Sequence, residues 1–251
     1  MEKGTRGAAL ITGAGRGIGA AVARKLAADG FKIVVNYHES QDEAESVVAD
    51  IKEAGGDAFA HRADVRRPDE TAAMAEAACR RFGKIDVLVN NATSPISHST
   101  FDNLEWSDVE EQIDIHLKAV FNACKVVLPN MVDNERGRII NITTVYADNV
   151  PPARMHGYVI AKSALQALTK TLAVEYGPKG ITVNNVAPGM TETSFIADVP
   201  DKAKMVTSMQ TPLRRLAQPQ DVAAAVAFLA GDDASYITGE TVRVCGGQIM
   251  L

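Results

Sequence analysis

The sequence predicts an α/β protein: a doubly wound, seven-stranded parallel sheet with helices on both faces. Three observations predict it. Seven short strand-like runs alternate with helical patterns to the end of the chain, as expected of a parallel sheet covered by helices. The first run turns into a helix through a glycine-rich segment, Thr12-Gly13-Ala14-Gly15-Arg16-Gly17-Ile18-Gly19. Further polar motifs end or follow the fourth, fifth and sixth runs, at the carboxyl edge where open parallel sheets bind ligands.

The strand runs are 8–12, 32–36, 57–63, 86–90, 138–143, 182–186 and 241–244. The first, Ala8-Ala9-Leu10-Ile11, is the short apolar run that a strand buried on both faces needs. The helical patterns are 18–29, 42–54, 68–82, 106–132, 158–176 and 219–230. In the first of these, Ile18, Val22 and Leu26 recur at helical spacing. Asp29-Gly30, Ala54-Gly55-Gly56, Arg81-Phe82-Gly83 and Tyr176-Gly177-Pro178 supply glycine stop signals. No repeat or interdomain linker interrupts the order, so 1–251 is expected to be a single domain. The long irregular stretch from Pro188 to about Gln218 is expected to hold a lid at about 190–218. Met190, Phe195, Met205 and Met209 suit a segment folded over something apolar.

The glycine turn sits where a strand becomes a helix, as in a Rossmann-type dinucleotide site. Its spacing, Gly13-x-x-x-Gly17-x-Gly19, departs from the strict G-x-G-x-x-G pattern because Ile18 occupies the last glycine place. Glycines allow the tight turn and close backbone approach. The following helix N-terminus offers free N–H groups to a pyrophosphate.

Tyr158 and Lys162 lie four residues apart in a helical stretch and so share one helix face. A free phenol ionises near about 10, and a fixed ammonium beside it favours the phenolate. The expectation is a tuned acid/base group beside a bound dinucleotide.

Composition bounds the rest. Of 251 residues, 46% are hydrophobic and 23% charged, with a net charge of −5. That balance gives no reason to expect nucleic acid or an anionic membrane as partner. Cys79, Cys124 and Cys245 are far apart in sequence, which argues against a disulfide framework or a metal site and fits a reducing compartment. The start, Met1-Glu2-Lys3-Gly4-Thr5-Arg6, runs straight into the first strand and leaves no room for a signal peptide. The cytoplasm is the expected location.

Taken together, these motifs resemble the short-chain dehydrogenase/reductase family, most of all its bacterial 3-oxoacyl-acyl-carrier-protein reductases of fatty acid biosynthesis. The resemblance spans roughly 8–247. It rests on the glycine turn, Asp64-Val65, Asn90-Asn91-Ala92, Tyr158-x-x-x-Lys162, Asn184-x-x-Ala187-Pro188-Gly189 and Gly246-Gly247. It implies an NAD(P)-dependent oxidoreductase, commonly tetrameric. Tyr158 matches the acid/base that protonates the carbonyl oxygen, and Lys162 the residue that holds the nicotinamide ribose. Thr144 falls where the family usually has a substrate-binding serine. Asp64 and Val65 match residues that hold the adenine, and Asn90, with Asn91 and Ala92, lies by the adenosine ribose. Pro188, Gly189, Thr191 and Thr193 resemble the clamp on the carboxamide and phosphates. Three departures stand out. His116 replaces an asparagine that holds a water in a proton relay, Thr93 replaces the glycine after Asn90-Asn91-Ala92, and Cys245 replaces an acid. His116 is expected either to join the relay or to pack structurally, and Cys245 to be a packed thiol.

NAD selection requires an acid at the end of the second strand. Here Tyr37 stands in that place, while Arg16 in the glycine turn is positioned to face a 2′-phosphate, with Asn36 and His38 as added donors. NADP(H) is the expected cofactor.

The leading expectation is reduction of a ketone by NADPH, the substrate being a carbonyl compound or 3-oxoacyl thioester, free or on acyl carrier protein. The rivals are a sugar or alcohol dehydrogenase and a non-catalytic NADP(H) sensor. A homotetramer is expected from the resemblance. In support, Val120, Phe121, Val126, Val127, Leu128, Leu165, Leu168, Leu172 and Val174 make two long helices apolar over much of their circumference. The tail Gln248-Ile249-Met250-Leu251 is a second docking element.

Overall fold

The computed structural model describes residues 6–250. The expected reading of the N-terminus, over residues 1–5, and Leu251 of the tail lie outside the described residues.

The elements run β1 (Ala8–Ile11), α1 (Gly17–Ala28), β2 (Lys32–Tyr37), α2 (Gln41–Glu53), β3 (Ala58–Arg62), α3 (Pro68–Phe82), β4 (Ile85–Asn90), α4 (Trp106–Ile113), a π-helical turn (Asp114–Lys118), α5 (Ala119–Asp133), β5 (Gly137–Ile142), α6 (His156–Tyr176), β6 (Ile181–Pro188), α7 (Asp201–Gln210), α8 (Pro219–Ala230) and β7 (Thr241–Val244). The seven strands form one parallel sheet in the order β3-β2-β1-β4-β5-β6-β7. Strand order reverses beside β1, between β1 and β4. This is the switch point at which doubly wound sheets form a ligand crevice.

The apolar pattern explains the layering. Ala9 and Ile11 of β1 face a core built with α1, α2 and α8, through Val22, Leu26, Ile51 and Val226. Leu10, between them, faces the opposite core with α3, α5 and α6, through Met74, Val127 and Leu165. Successive strand side chains point to opposite faces, so a continuous apolar run is what a sheet covered on both sides demands.

The structure corrects three details. The segment expected to be irregular contains α7 and a short 3₁₀ turn at Ser194–Ile196. The weak apolar pattern of α7, with no buried residue, hid it from periodicity. The helix expected over 106–132 is one rod interrupted by the π turn. The left-handed stop after α6 is Gly180, with φ +76°, because Gly177 continues into a 3₁₀ turn. No helix among the described residues is long and apolar enough to cross a membrane.

Candidate active site

The glycine turn is held from both sides. Gly13 adopts φ +62°, and a Cβ there would come within 2.9 Å of Ala92. A Cβ on Gly19 would lie 2.4 Å from the Gly13 carbonyl oxygen, so neither position admits a side chain. Thr12 Oγ1 accepts the N–H groups of Asn91 at 2.9 Å and Ala92 at 3.0 Å. The Asn91 amide donates back to the carbonyls of Thr12 and Gly13, each at 3.0 Å. Ile18 packs against the α1 core, and Gly15 is buried against α2. The first turn of α1 has no side-chain cap and no acidic residue. Its N–H groups and positive dipole end are therefore left for an anion.

The Asn36 side chain is not a spare donor. It is buried, its Oδ1 accepts the Gly13 N–H at 3.1 Å, and its Nδ2 donates to the Ala63 carbonyl at 3.0 Å. The expectation that its amide adds a donor for a 2′-phosphate is thus corrected, because strand alternation turns it into the protein. Arg16 is exposed, and among the described residues nothing engages its side chain. Tyr37 is half-buried at the end of β2, and the His38 ring lies within 4.0 Å of the Asp64 carboxylate. Arg66 bonds Asp64 through two nitrogens, at 2.9 and 2.8 Å, and holds its carboxyl below the usual range. Val65 is buried.

The Asn90 side chain is likewise turned inward. It donates to Asn141 at 2.8 Å, and the chain continues from Asn141 to Thr169 at 2.9 Å and from Thr169 to Asn185 at 2.6 Å. This polar ladder across β4, β5 and β6 accounts for its amide donor.

Tyr158 and Lys162 stand together near the start of α6, at the carboxyl edge of the sheet. Tyr158 is 9% exposed and Lys162 4% exposed. The Lys162 Nζ lies 5.8 Å from the centre of the Tyr158 ring and donates to the Ile142 carbonyl at 2.6 Å. The Thr144 side chain neighbours the Tyr158 hydroxyl and favours its ionised form. Burial pushes the Tyr158 phenol up to about 12, against the opposing pull of Thr144. Burial also lowers Lys162 to about 7. The expectation that the ammonium brings the phenol near working pH is therefore corrected. In this dry site desolvation drives both groups toward their neutral forms, and the Lys162 hydrogen bond goes to a backbone carbonyl. An ammonium has three donors, and the described residues supply one acceptor, so Lys162 fits ribose hydroxyls.

His116 is buried in the π turn, with its ring edgewise to Tyr158 at 5.2 Å and 83°. Its two nitrogens face Gln112 and Thr93. Burial, then the Lys162 charge, holds it well below the usual imidazole range. A cavity of about 10 Å³ lined by Thr12, Asn90, His116 and Lys162 is about the size of one water.

The segment after β6 runs beside the glycine turn and Tyr158. Pro188 ends the strand, and Gly189 N–H bonds Val244 at 3.0 Å. Thr191 Oγ1 donates to the Gly189 carbonyl at 3.0 Å. Thr193 sits against Gly17, and Phe195 lies 6.5 Å from the Tyr158 ring. The larger cavity, about 250 Å³, lies instead behind α7, against Thr211, Leu213 and Cys245. Tyr158 does not line it. Cys245 is buried, its thiol directed at the Ile249 carbonyl. Sequence reasoning missed the Thr12 hydroxyl as the organiser of the turn and Arg66 as the partner of Asp64. A hydroxyl at the last strand position before the glycines was the available signal for the first.

The family profile described as "Enoyl-(Acyl carrier protein) reductase" matches residues 13–248. The chain is 43% identical to the 3-oxoacyl-acyl-carrier-protein reductase FabG of Staphylococcus epidermidis, over 96% of this chain and 98% of that protein. It is 38% identical to 3beta-hydroxysteroid dehydrogenase 1 of Eggerthella lenta, over 96% of this chain and 93% of that one. A solved short-chain dehydrogenase/reductase of Serratia marcescens superposes with a TM-score of 0.91 at 34% identity, covering 97% of this chain and 98% of the other. With the glycine turn and the Tyr158–Lys162 pair on one sheet edge, these matches show that the chain belongs to the short-chain dehydrogenase/reductase family and is an oxidoreductase that works with a nicotinamide cofactor.

Proposed function

We propose that this protein reduces a 3-oxoacyl thioester to the 3-hydroxyacyl thioester, with NADPH as cofactor. The observation that carries the reading is the buried Tyr158, beside Thr144 and one helical turn from the buried Lys162. A phenol raised to about 12 is fully protonated at neutral pH, the state a carbonyl reduction needs. When bound, the nicotinamide supplies the hydride. Thr144 and Tyr158 hold the carbonyl oxygen, and Tyr158 gives it a proton. Lys162 holds the ribose hydroxyls, and the open first turn of α1 holds the pyrophosphate. The thioester class is supported by the 43% identity to a reductase named for that substrate.

Preference for NADPH rests on the unengaged Arg16 and on Tyr37 in place of an acid. Residues 190–218 serve as the lid, a reading supported by the Phe195 ring, 6.5 Å from that of Tyr158. Assembly as a tetramer is supported by exposed Trp106, Phe121, Ile160 and Val174 on α4, α5 and α6. Of the other apolar residues of these helices, Val120, Val127, Leu128 and Leu165 are core, and Val126, Leu168 and Leu172 are partly buried against it.

A second reading, oxidation of a secondary alcohol, is supported by the 38% identity to a hydroxysteroid dehydrogenase. The test monitors NADPH absorbance with acetoacetyl thioesters and longer homologues, against a panel of alcohols with NADP⁺. Turnover of thioesters that Tyr158→Phe abolishes supports the proposal. Alcohol oxidation without thioester reduction transfers it to the second reading.

A further inference from the structure

Two of the residues that depart from the family pattern, Thr93 and His116, meet in space. Thr93 Oγ1 lies 2.9 Å from His116 Nε2. On the other side of the ring, Nδ1 lies 3.2 Å from the Gln112 carbonyl oxygen. A carbonyl only accepts, so in the neutral ring Nδ1 carries the proton and donates. Nε2 is then an acceptor, and the Thr93 hydroxyl, at 2.9 Å from it against 3.3 Å from the Ser94 carbonyl, is its donor. One turn earlier, Gln112 Nε2 donates to the Pro95 carbonyl at 2.9 Å and to Ser94 Oγ at 3.3 Å. Gln112 and His116, four apart on the same rod, thereby hold three consecutive residues of the loop after β4.

The π turn makes this possible. Its extra residue rotates the remainder of the rod by about 100° around the helix axis. His116 is thus packed edgewise on Tyr158 at 5.2 Å. The titratable groups facing the imidazole are Tyr158 and Lys162, both from α6. With both nitrogens engaged, the ring has no free position for a relay water.

We propose that Thr93 and His116 act as one positioning pair for Tyr158: the Thr93 hydroxyl locks the imidazole in its Nδ1–H form, the ring sets the phenol, and the lock removes His116 as a proton carrier. This rests on the reading of Tyr158 as the acid/base group. Neither residue touches the reacting atoms, so both are positioning residues.

The test uses the full chain with NADPH and an acetoacetyl thioester. Thr93→Val is expected to lower kcat about tenfold with KM changed less than about twofold. Thr93→Ser restores what Thr93→Val loses. In a His116→Asn background, Thr93→Val changes kcat by less than about twofold, because the partner is already gone. Nitrogen-15 spectra provide a readout without turnover. The imidazole signal that His116→Asn removes should show protonated Nδ1 and an accepting Nε2, and Thr93→Val should shift Nε2 toward a free acceptor. Undiminished kcat in Thr93→Val, effects that multiply, or a ring protonated at Nε2 overturns the pair. Retained turnover in Tyr158→Phe overturns the reading of Tyr158 and the pair with it. Lost turnover in Tyr158→Phe with uncoupled Thr93→Val overturns the pair alone.

Discussion

The Lys162 ammonium nitrogen lies 2.6 Å from the carbonyl oxygen of Ile142, the last residue of β5. A long cationic side chain is thereby anchored to the sheet edge, fully buried and with donors to spare. Burial depresses its ionisation from 10.5 to about 7.

That depression sets a pH dependence of stability. Between about pH 7 and 10.5 the unfolded chain binds the proton and the folded chain does not, so stability rises with pH across this window. Below about 7 both states are charged and the burial cost is present in full. Lys162→Met should therefore stabilise the protein most below pH 7, by a few kcal/mol on the order of what such a shift implies. The gain should shrink toward zero by about pH 10.5. Urea denaturation across pH checks this, and a gain independent of pH rejects it.

Cofactor choice is tested at Arg16. Arg16→Glu should raise KM for NADPH by about 10²-fold and change that for NADH by less than about threefold, because a charged fork is replaced by a repelling carboxylate. Initial-rate kinetics with both cofactors decide the matter. Equal losses for both would refer the effect to the turn itself.

Asn36 joins the glycine turn to the end of β3 through Gly13 and Ala63. Asn36→Ala leaves a backbone N–H and a carbonyl without these partners. It should cost about 1–3 kcal/mol of stability and weaken NADPH and NADH alike. Calorimetry together with fluorescence titration measures both. A loss confined to NADPH would instead make Asn36 a phosphate ligand.

The Phe195 ring lies 6.5 Å from that of Tyr158. Burial is what pushes that phenol up to about 12, so Phe195→Ala, by admitting water, should move its ionisation down toward about 10. Phenolate absorbance, read as the difference from Tyr158→Phe, reports the shift. No movement would mean that the lid residue does not control hydration of the site.

Seven strands, their order along the chain and the helices between them were legible in the residues, because strands buried on both faces must be apolar and glycines mark where helices stop. The glycine turn and Tyr158-x-x-x-Lys162 were legible for the same local reason: each depends on spacing within a few residues. The helix α7 was not, because its polar and apolar residues do not form a helical stripe.

Tertiary structure alone decided where the side chains of Asn36 and Asn90 point, and turned both inward. It also decided that Tyr158 and Lys162 are perturbed by dryness more than by each other, since burial depends on what the lid and neighbouring helices cover. Finally, it joined Thr93 to His116. A hydrogen bond across 23 residues is set by the π turn and the loop it faces, and no local pattern encodes that meeting.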